Sequence, residues 1–145
     1  MIIYIDADAC PVTQEIIIIA EKKQCQVKII KSYAHFSQPI DQDFVEEIYV
    51  DDENEAVDYK IMAVIMESDL LITQDYGLAS LALQKNATVI HPRGFKYTKE
   101  TIDTLLASRY QSAQIRKAGG RTKGPSSFTN KDRDKFTRLL TQLLS

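Results

Sequence analysis

Aspartates recur where this chain turns from an apolar run into a helical pattern. Asp6 and Asp8 end the run Ile2, Ile3, Tyr4, Ile5; Asp51 and Asp52 follow a second run at residues 45–50; Asp58 falls one turn into the helical segment after it; and Asp75 follows the block DLLIT. Neighbouring carboxylates repel, raise each other's pKa and destabilise a fold unless something compensates. A hard divalent cation is the usual compensation. Capping of the next helix by one acid, with the other solvated, is the alternative for the Asp6–Asp8 pair. No His or Cys stands at a spacing that favours zinc, so an oxygen set of Asp6, Asp58 and Asp75, with Asp8 beside it, suits Mg²⁺ or Mn²⁺. Such an ion can activate water and stabilise charge on a phosphoryl oxygen. Thr73, two residues before Asp75, can orient a ligand or the water, or can be there for β propensity alone.

The elements that must position these acids follow from periodicity. The short run at residues 2–5, ended by small and polar residues, reads as a strand, and Pro11 is expected to open a helix over residues 11–24. Further strands are expected at 25–30, 45–50, 69–73 and 87–91, and helices at 56–67, capped by Asn54, and at 78–85. A helix is expected from Thr98 to about residue 112. Residues 113–129, rich in glycine and basic side chains, read as a mobile basic loop, and residues 130–144 as a final helix. Strands alternating with helices give an α/β fold with a parallel sheet and right-handed crossovers. Residues just after each strand then share one edge, where ligands gather. Asp6, Asp8 and Asp75 belong to that edge, and Asp58 can point back over it. Asp69 precedes its strand, so it belongs to the opposite edge and reads as structural.

The chain has 145 residues and a net charge of −2, which fits one domain over 1–145. Its charge is unevenly placed: residues 1–92 carry 16 acidic and 6 basic side chains, and residues 93–145 carry 4 acidic and 12 basic. This asymmetry points to a polyanion such as nucleic acid, or to a basic part packed on an acidic part. Arg93 and Lys96 after the fifth strand, and Arg116, Lys117, Arg121 and Lys123 in the loop, are the candidates for holding a phosphate backbone. A solvated linker to the final helix is the competing account of the loop. The apolar runs are too short for a leader or a membrane span, and two cysteines form no disulfide framework, so a cytoplasmic protein with no membrane partner is expected. Cys10 stands at the start of the expected first helix, where a thiol pKa tends to fall, and reads either as a weak catalytic candidate or as a small capping or packing residue. Residues 32–44 read as a loop whose Tyr33, His35 and Phe36 form a lid or an irregular connection, and His35 and His91, with no partner at a recognisable spacing, read as ordinary loop and strand-end residues. The oligomeric state is not legible.

The blocks IDADACPV, AVDYKI, DLLITQDYGLA, PRGFKYT and GPSSFTNKDRDKF together resemble the YaiI/YqxD family of uncharacterised bacterial proteins. The resemblance runs over almost the whole chain. That family is similar to PIN-like domains, which implies a three-layer, Rossmann-like parallel sheet of order 3-2-1-4-5 flanked by helices. It also implies a Mg²⁺- or Mn²⁺-dependent nuclease acting on RNA. Asp6 would match the acid after the first strand, Asp58 the acid on a helix, and Asp75 the acid of the Thr73-Gln74-Asp75 turn. Tyr76, Gly77 and Leu78 stand where PIN domains often carry a further acid, which Asp8 would replace. A non-catalytic RNA-binding module of the same fold is the second expectation. The third is a haloacid-dehalogenase-type phosphatase, which also places two aspartates one residue apart after its first strand. Cys10 stands where that motif usually has Thr or Val, and the chain has no room for a cap domain.

Overall fold

The computed structural model describes residues 1–120 and 127–145. Its elements, in chain order, are β1 (Ile2–Asp6), α1 (Thr13–Lys23), β2 (Gln26–Ser32), β3 (Val45–Val50), α2 (Ala56–Val64), β4 (Leu70–Ile72), α3 (Tyr76–Gln84), β5 (Thr88–His91), β6 (Phe95–Lys96), α4 (Lys99–Lys117) and α5 (Asn130–Leu143). The strands form one sheet of order β3-β2-β1-β4-β5-β6. The first five are parallel in the expected order, and β6 adds an antiparallel edge strand that the sequence did not signal.

Strand alternation splits the core in two. Ile3, Ile5, Leu70, Ile72 and Ile90 pack against α1 and α5, with Phe136 and Leu140 of α5 buried among them. Tyr4, Ile30, Leu71 and Val89 face the other way, toward α2, α3 and α4, with Ile61, Leu78 and Ile102. The result is three layers, helices on both faces of a sheet. Gly94, at φ +90°, lies where α5 crosses the β5–β6 turn: a Cβ there would come within 2.6 Å of the Phe136 backbone nitrogen. Only glycine serves both the turn and the approach.

Several boundaries differ from expectation; helix α2 ends at Val64 rather than at residue 67. Helix α1 starts at Thr13 rather than Pro11, because a 3-10 turn at Ala7–Ala9 and an ordinary turn at residues 11–12 come first. Asn54 does not cap α2; Glu55 occupies that position with a left-handed backbone (φ 67°) and no side-chain cap bond. The β4–α3 turn is tighter than expected, since Asp75 itself caps α3 from Tyr76. Helix α4 runs on to Lys117, so the first five residues of the expected basic loop are helical, including Arg116 and Lys117. Arg121 and Lys123 lie outside the described residues. Among the described residues no helix is long and apolar enough to cross a membrane.

Candidate functional site: an acidic cavity at the carboxyl edge of β1 and β4

The alternation that sends Tyr4 toward α2 also sends Asp6, the last residue of β1, to that side. Ile5 pairs with Ile72 across the β1–β4 register, so the chain just past each strand lies side by side. Thr73 ties the two ends together. Its hydroxyl donates to Asp6 Oδ2 at 2.8 Å and accepts the Asp75 N–H at 2.9 Å. Tyr97, buried under the sheet, donates its hydroxyl to the Thr73 carbonyl at 3.1 Å. Thr73 is itself 1 % exposed, so its contacts are with the two aspartates and Tyr97 rather than with solvent.

Asp75 is held from the other side. Its Oδ1 accepts the N–H groups of Gly77 (2.9 Å) and Leu78 (3.2 Å), the first turn of α3. This N-cap fixes the carboxylate at the positive end of a helix. Asp58 enters from the first turn of α2, and Asp8 from the 3-10 turn after β1. All four aspartates line one cavity of about 850 Å³. The sequence-based placement of Asp6, Asp8, Asp58 and Asp75 on one edge is thus what the fold does.

The electrostatic consequence is visible at two of them. Burial raises the Asp6 pKa; Asp8 and Asp75 push it further up, while the Thr73 hydrogen bond pulls against them. Asp58 is raised to about 6, by burial first and then by the charges of Asp75, Asp6, Glu55 and Asp8. Each carboxylate therefore sits where its neighbours oppose its charge. The donor set is all oxygen and suits a hard cation in its chemistry. Among the described residues, no three His, Cys, Asp or Glu side chains form a group that could hold a metal ion as they stand.

Two basic lining residues were not among the expected site residues. Arg109 of α4 brings Nη1 to 3.9 Å from Asp75 Oδ1, with its side chain 63 % exposed to the cavity mouth and solvent. Its signal was available: Ile102, Leu105 and Leu106 form the apolar stripe of α4, and Arg109 continues that stripe by one turn. His35, read as an ordinary loop residue, also lines the cavity, with Nδ1 4.0 Å from Asp8 Oδ1. The sequence marked it only as one of the rings in the loop over residues 32–44.

The basic candidates are dispersed. Arg93 does not line the acidic cavity. It pairs with Asp132 of α5 at 3.0 Å and lies over the Phe128 ring at 5.9 Å. The reason is the β5–β6 turn, which carries Arg93 onto α5 rather than over the acids. Lys96, exposed on β6, is likewise not among the cavity residues. Arg116 lies seven residues beyond Arg109, hence on the same side of α4 and about 10 Å further along it. Lys117 follows it, also exposed. Cys10 is not the activated thiol that a helix start would produce: it precedes α1, and burial drives its pKa up. His91 is buried against Phe95, with Nδ1 accepting the Arg93 N–H at 2.9 Å, and burial lowers its pKa to about 4. It is a neutral packing residue.

Comparison with known proteins matches this chain to one family. The model for the uncharacterized bacterial YaiI/YqxD family matches residues 4–145. A UPF0178 protein of Bacillus cereus is 50 % identical over 145 residues, covering 100 % of this chain and 99 % of its own length. A UPF0178 protein of Bacillus thuringiensis subsp. konkukian is 50 % identical over 144 residues, covering 99 % of each. One of Bacillus anthracis is 49 % identical over 145 residues, covering 100 % of this chain and 99 % of its own length. No solved structure matches the chain.

Proposed function

The chain belongs to the YaiI/YqxD family, and from the geometry of its acidic cavity we propose that it is a Mg²⁺- or Mn²⁺-dependent nuclease that cleaves RNA. The observation that carries this is the meeting of four aspartates from three separate stretches of chain in one cavity, with an arginine across from them. Nothing in folding favours gathering like charges. The raised pKa of Asp58 marks the cost, and a bound cation would remove it.

In this reading Asp6, Asp58 and Asp75 hold the ion. When bound, the ion supplies an activated water and charge stabilisation at a phosphoryl oxygen. The protein's own residues do the rest. Thr73 keeps the Asp6 carboxylate and the Asp75 backbone in register. Asp8, half-exposed at the cavity rim, assists as ligand or base. Arg109 releases its loose contact with Asp75 and donates to the phosphate. Arg116 and Lys117 extend the same helix as a track for the backbone, joined by Arg121 and Lys123 of the adjoining segment.

The test is cleavage of single-stranded RNA in Mn²⁺ by the wild type and by Asp75→Asn, which keeps an N-cap acceptor. Cleavage by the wild type and none by the variant is expected. No cleavage by the wild type, or equal cleavage by both, overturns the proposal.

One observation favours a second reading. Because no three side chains among the described residues stand ready to hold a metal ion, the same surface can serve as a non-catalytic RNA-binding module. RNA binding that persists in chelator, with no cleavage in Mn²⁺, would establish it.

A further inference from the structure

Beside the acidic cavity lies a second one of about 400 Å³, lined by Tyr33, Tyr49, Tyr59, Asp51 and Glu53. Its rings are unusually open for large aromatic side chains: Tyr33 is 58 % exposed, Tyr59 71 % and Phe36 at its margin 69 %. Tyr33 and Phe36 are also held in place. Tyr33 stacks on half-buried Tyr49 with centroids 5.5 Å apart and planes 18° from parallel, and Phe36 packs on the same ring at 5.5 Å. Lys31 supports the Tyr49 ring, its Nζ 5.3 Å from the centroid, and is itself anchored to Glu47 at 2.7 Å. The turn bearing Tyr33 is pinned by the Ala34 N–H, which donates to Asp52 Oδ1 at 2.7 Å. A folding core would bury these faces; a binding surface would fix them and leave them open.

The two cavities adjoin. Glu53, Asn54 and Ala56 line both. Helix α2 supplies Asp58 to the first and the next residue, Tyr59, to the second. The turn after β2 likewise supplies His35 to the first and Tyr33 to the second. A ligand reaching from one into the other needs a charged group near Arg109 and a flat group some residues away among the tyrosines. Asp51 and Glu53 can accept hydrogen bonds from exocyclic amines. A nucleobase meets each demand: a π-face for the rings and amino donors for the carboxylates. We propose that Tyr33, Tyr49 and Tyr59 form a stacking site for a base of single-stranded RNA whose phosphate lies in the adjoining acidic cavity. This rests on the acidic cavity being an RNA site, though not on its being catalytic.

The experiment is fluorescence anisotropy with a short labelled oligoadenylate and with the same backbone made abasic. It is run in chelator and, before turnover begins, in Mn²⁺. The wild type should bind the base-bearing strand about tenfold more tightly than the abasic one. Tyr59→Ala and Tyr33→Leu should each weaken binding of the base-bearing strand by about tenfold and leave the abasic strand unchanged, while Tyr33→Phe retains wild-type affinity. Both tyrosines are mostly exposed, so the variants keep the fold. Equal affinity for the two strands, no binding of either, or unchanged affinity in both tyrosine variants overturns the proposal. Base-dependent binding without Mn²⁺-dependent cleavage keeps the stacking site and removes the nuclease. Asp75-dependent cleavage with unaltered tyrosine variants does the reverse.

Discussion

Arg93 and Arg109 each face an aspartate, and the two neighbourhoods differ in kind. Arg93 meets Asp132 at 3.0 Å, with both side chains about three-quarters covered. Asp132 is also the partner in the capping box of α5, where it accepts the Thr129 N–H at 3.0 Å. Nearby, Arg133 joins Glu15 of α1 at 2.6 Å and lies over the Phe128 ring at 5.2 Å. Around α5, opposite charges are matched one to one over a packed apolar base. At the acidic cavity, four carboxylates gather, and Arg109 approaches one of them at 3.9 Å from a largely exposed position. Matched charges hold a helix down. Like charges kept together must be held there by the fold, here through Thr73 and the α3 N-terminus, and are left to act on something else. The close ion pairs around α5 mark scaffold, and the unbalanced charges of the acidic cavity mark the candidate site.

Four measurements can break or sharpen this contrast. The largest effect belongs to the scaffold. Phe136→Ala removes a fully buried ring beneath α5 and should cost about 3–5 kcal/mol in urea unfolding, without altering the response to divalent cations. The second belongs to the site. Mn²⁺ at about 100 times its Kd should add about 2.7 kcal/mol to the stability of the wild type, read as a rise in Tm, and should add much less to Asp58→Asn. An equal rise in both would place the ion elsewhere.

The third sets the two arginines side by side. Arg93→Ala should cost about 1 kcal/mol, since a three-quarters-covered pair and ring packing are lost together. Arg109→Ala should stay within about 0.5 kcal/mol of the wild type and instead weaken RNA binding. Reversed rankings would dissolve the distinction. The smallest effect is a pH signature of the metal-free protein. The folded Asp58 pKa is about 6, above the ordinary carboxylate value. The unfolded chain therefore ionises more readily, and Asp58 weakens the fold above about pH 6. That penalty disappears as pH falls from 6 toward 4. Asp58→Asn should accordingly raise Tm by a few degrees at pH 7.5, on the order of 2–4 °C, and by nothing at pH 4. A constant difference across that range would show that Asp58 is not in contact with its neighbouring acids.

Asp69 shows how far single-chain reasoning reaches. It precedes β4, so it must lie at the amino edge of the sheet, away from the other acids. There its oxygens accept the N–H groups of Ile2 at 3.0 Å and Met66 at 2.9 Å. Arg93 shows where it stops. It follows β5 as directly as Asp75 follows β4, yet the antiparallel β6 and the close pass at Gly94 carry it to α5. A two-residue strand leaves no periodicity to read, and the contact with α5 joins positions 39 apart.

The succession of helices and of the first five strands along the chain, and the gathering of Asp6, Asp8, Asp58 and Asp75 at one edge, were present in the linear pattern. Period-two alternation fixes which face a strand residue takes, and parallel topology puts every strand's end at one edge. What the tertiary structure alone decided is which partners reach that edge. His35 and Tyr33 arrive on the turn after β2, where no repeating period governs direction, while Arg109, Tyr49 and Tyr59 sit on regular elements whose period gives a direction but not the neighbour they meet. Their place depends on how α2, α4 and the turn after β2 pack over the sheet, and packing is a property of the assembled surfaces rather than of any one stretch of chain.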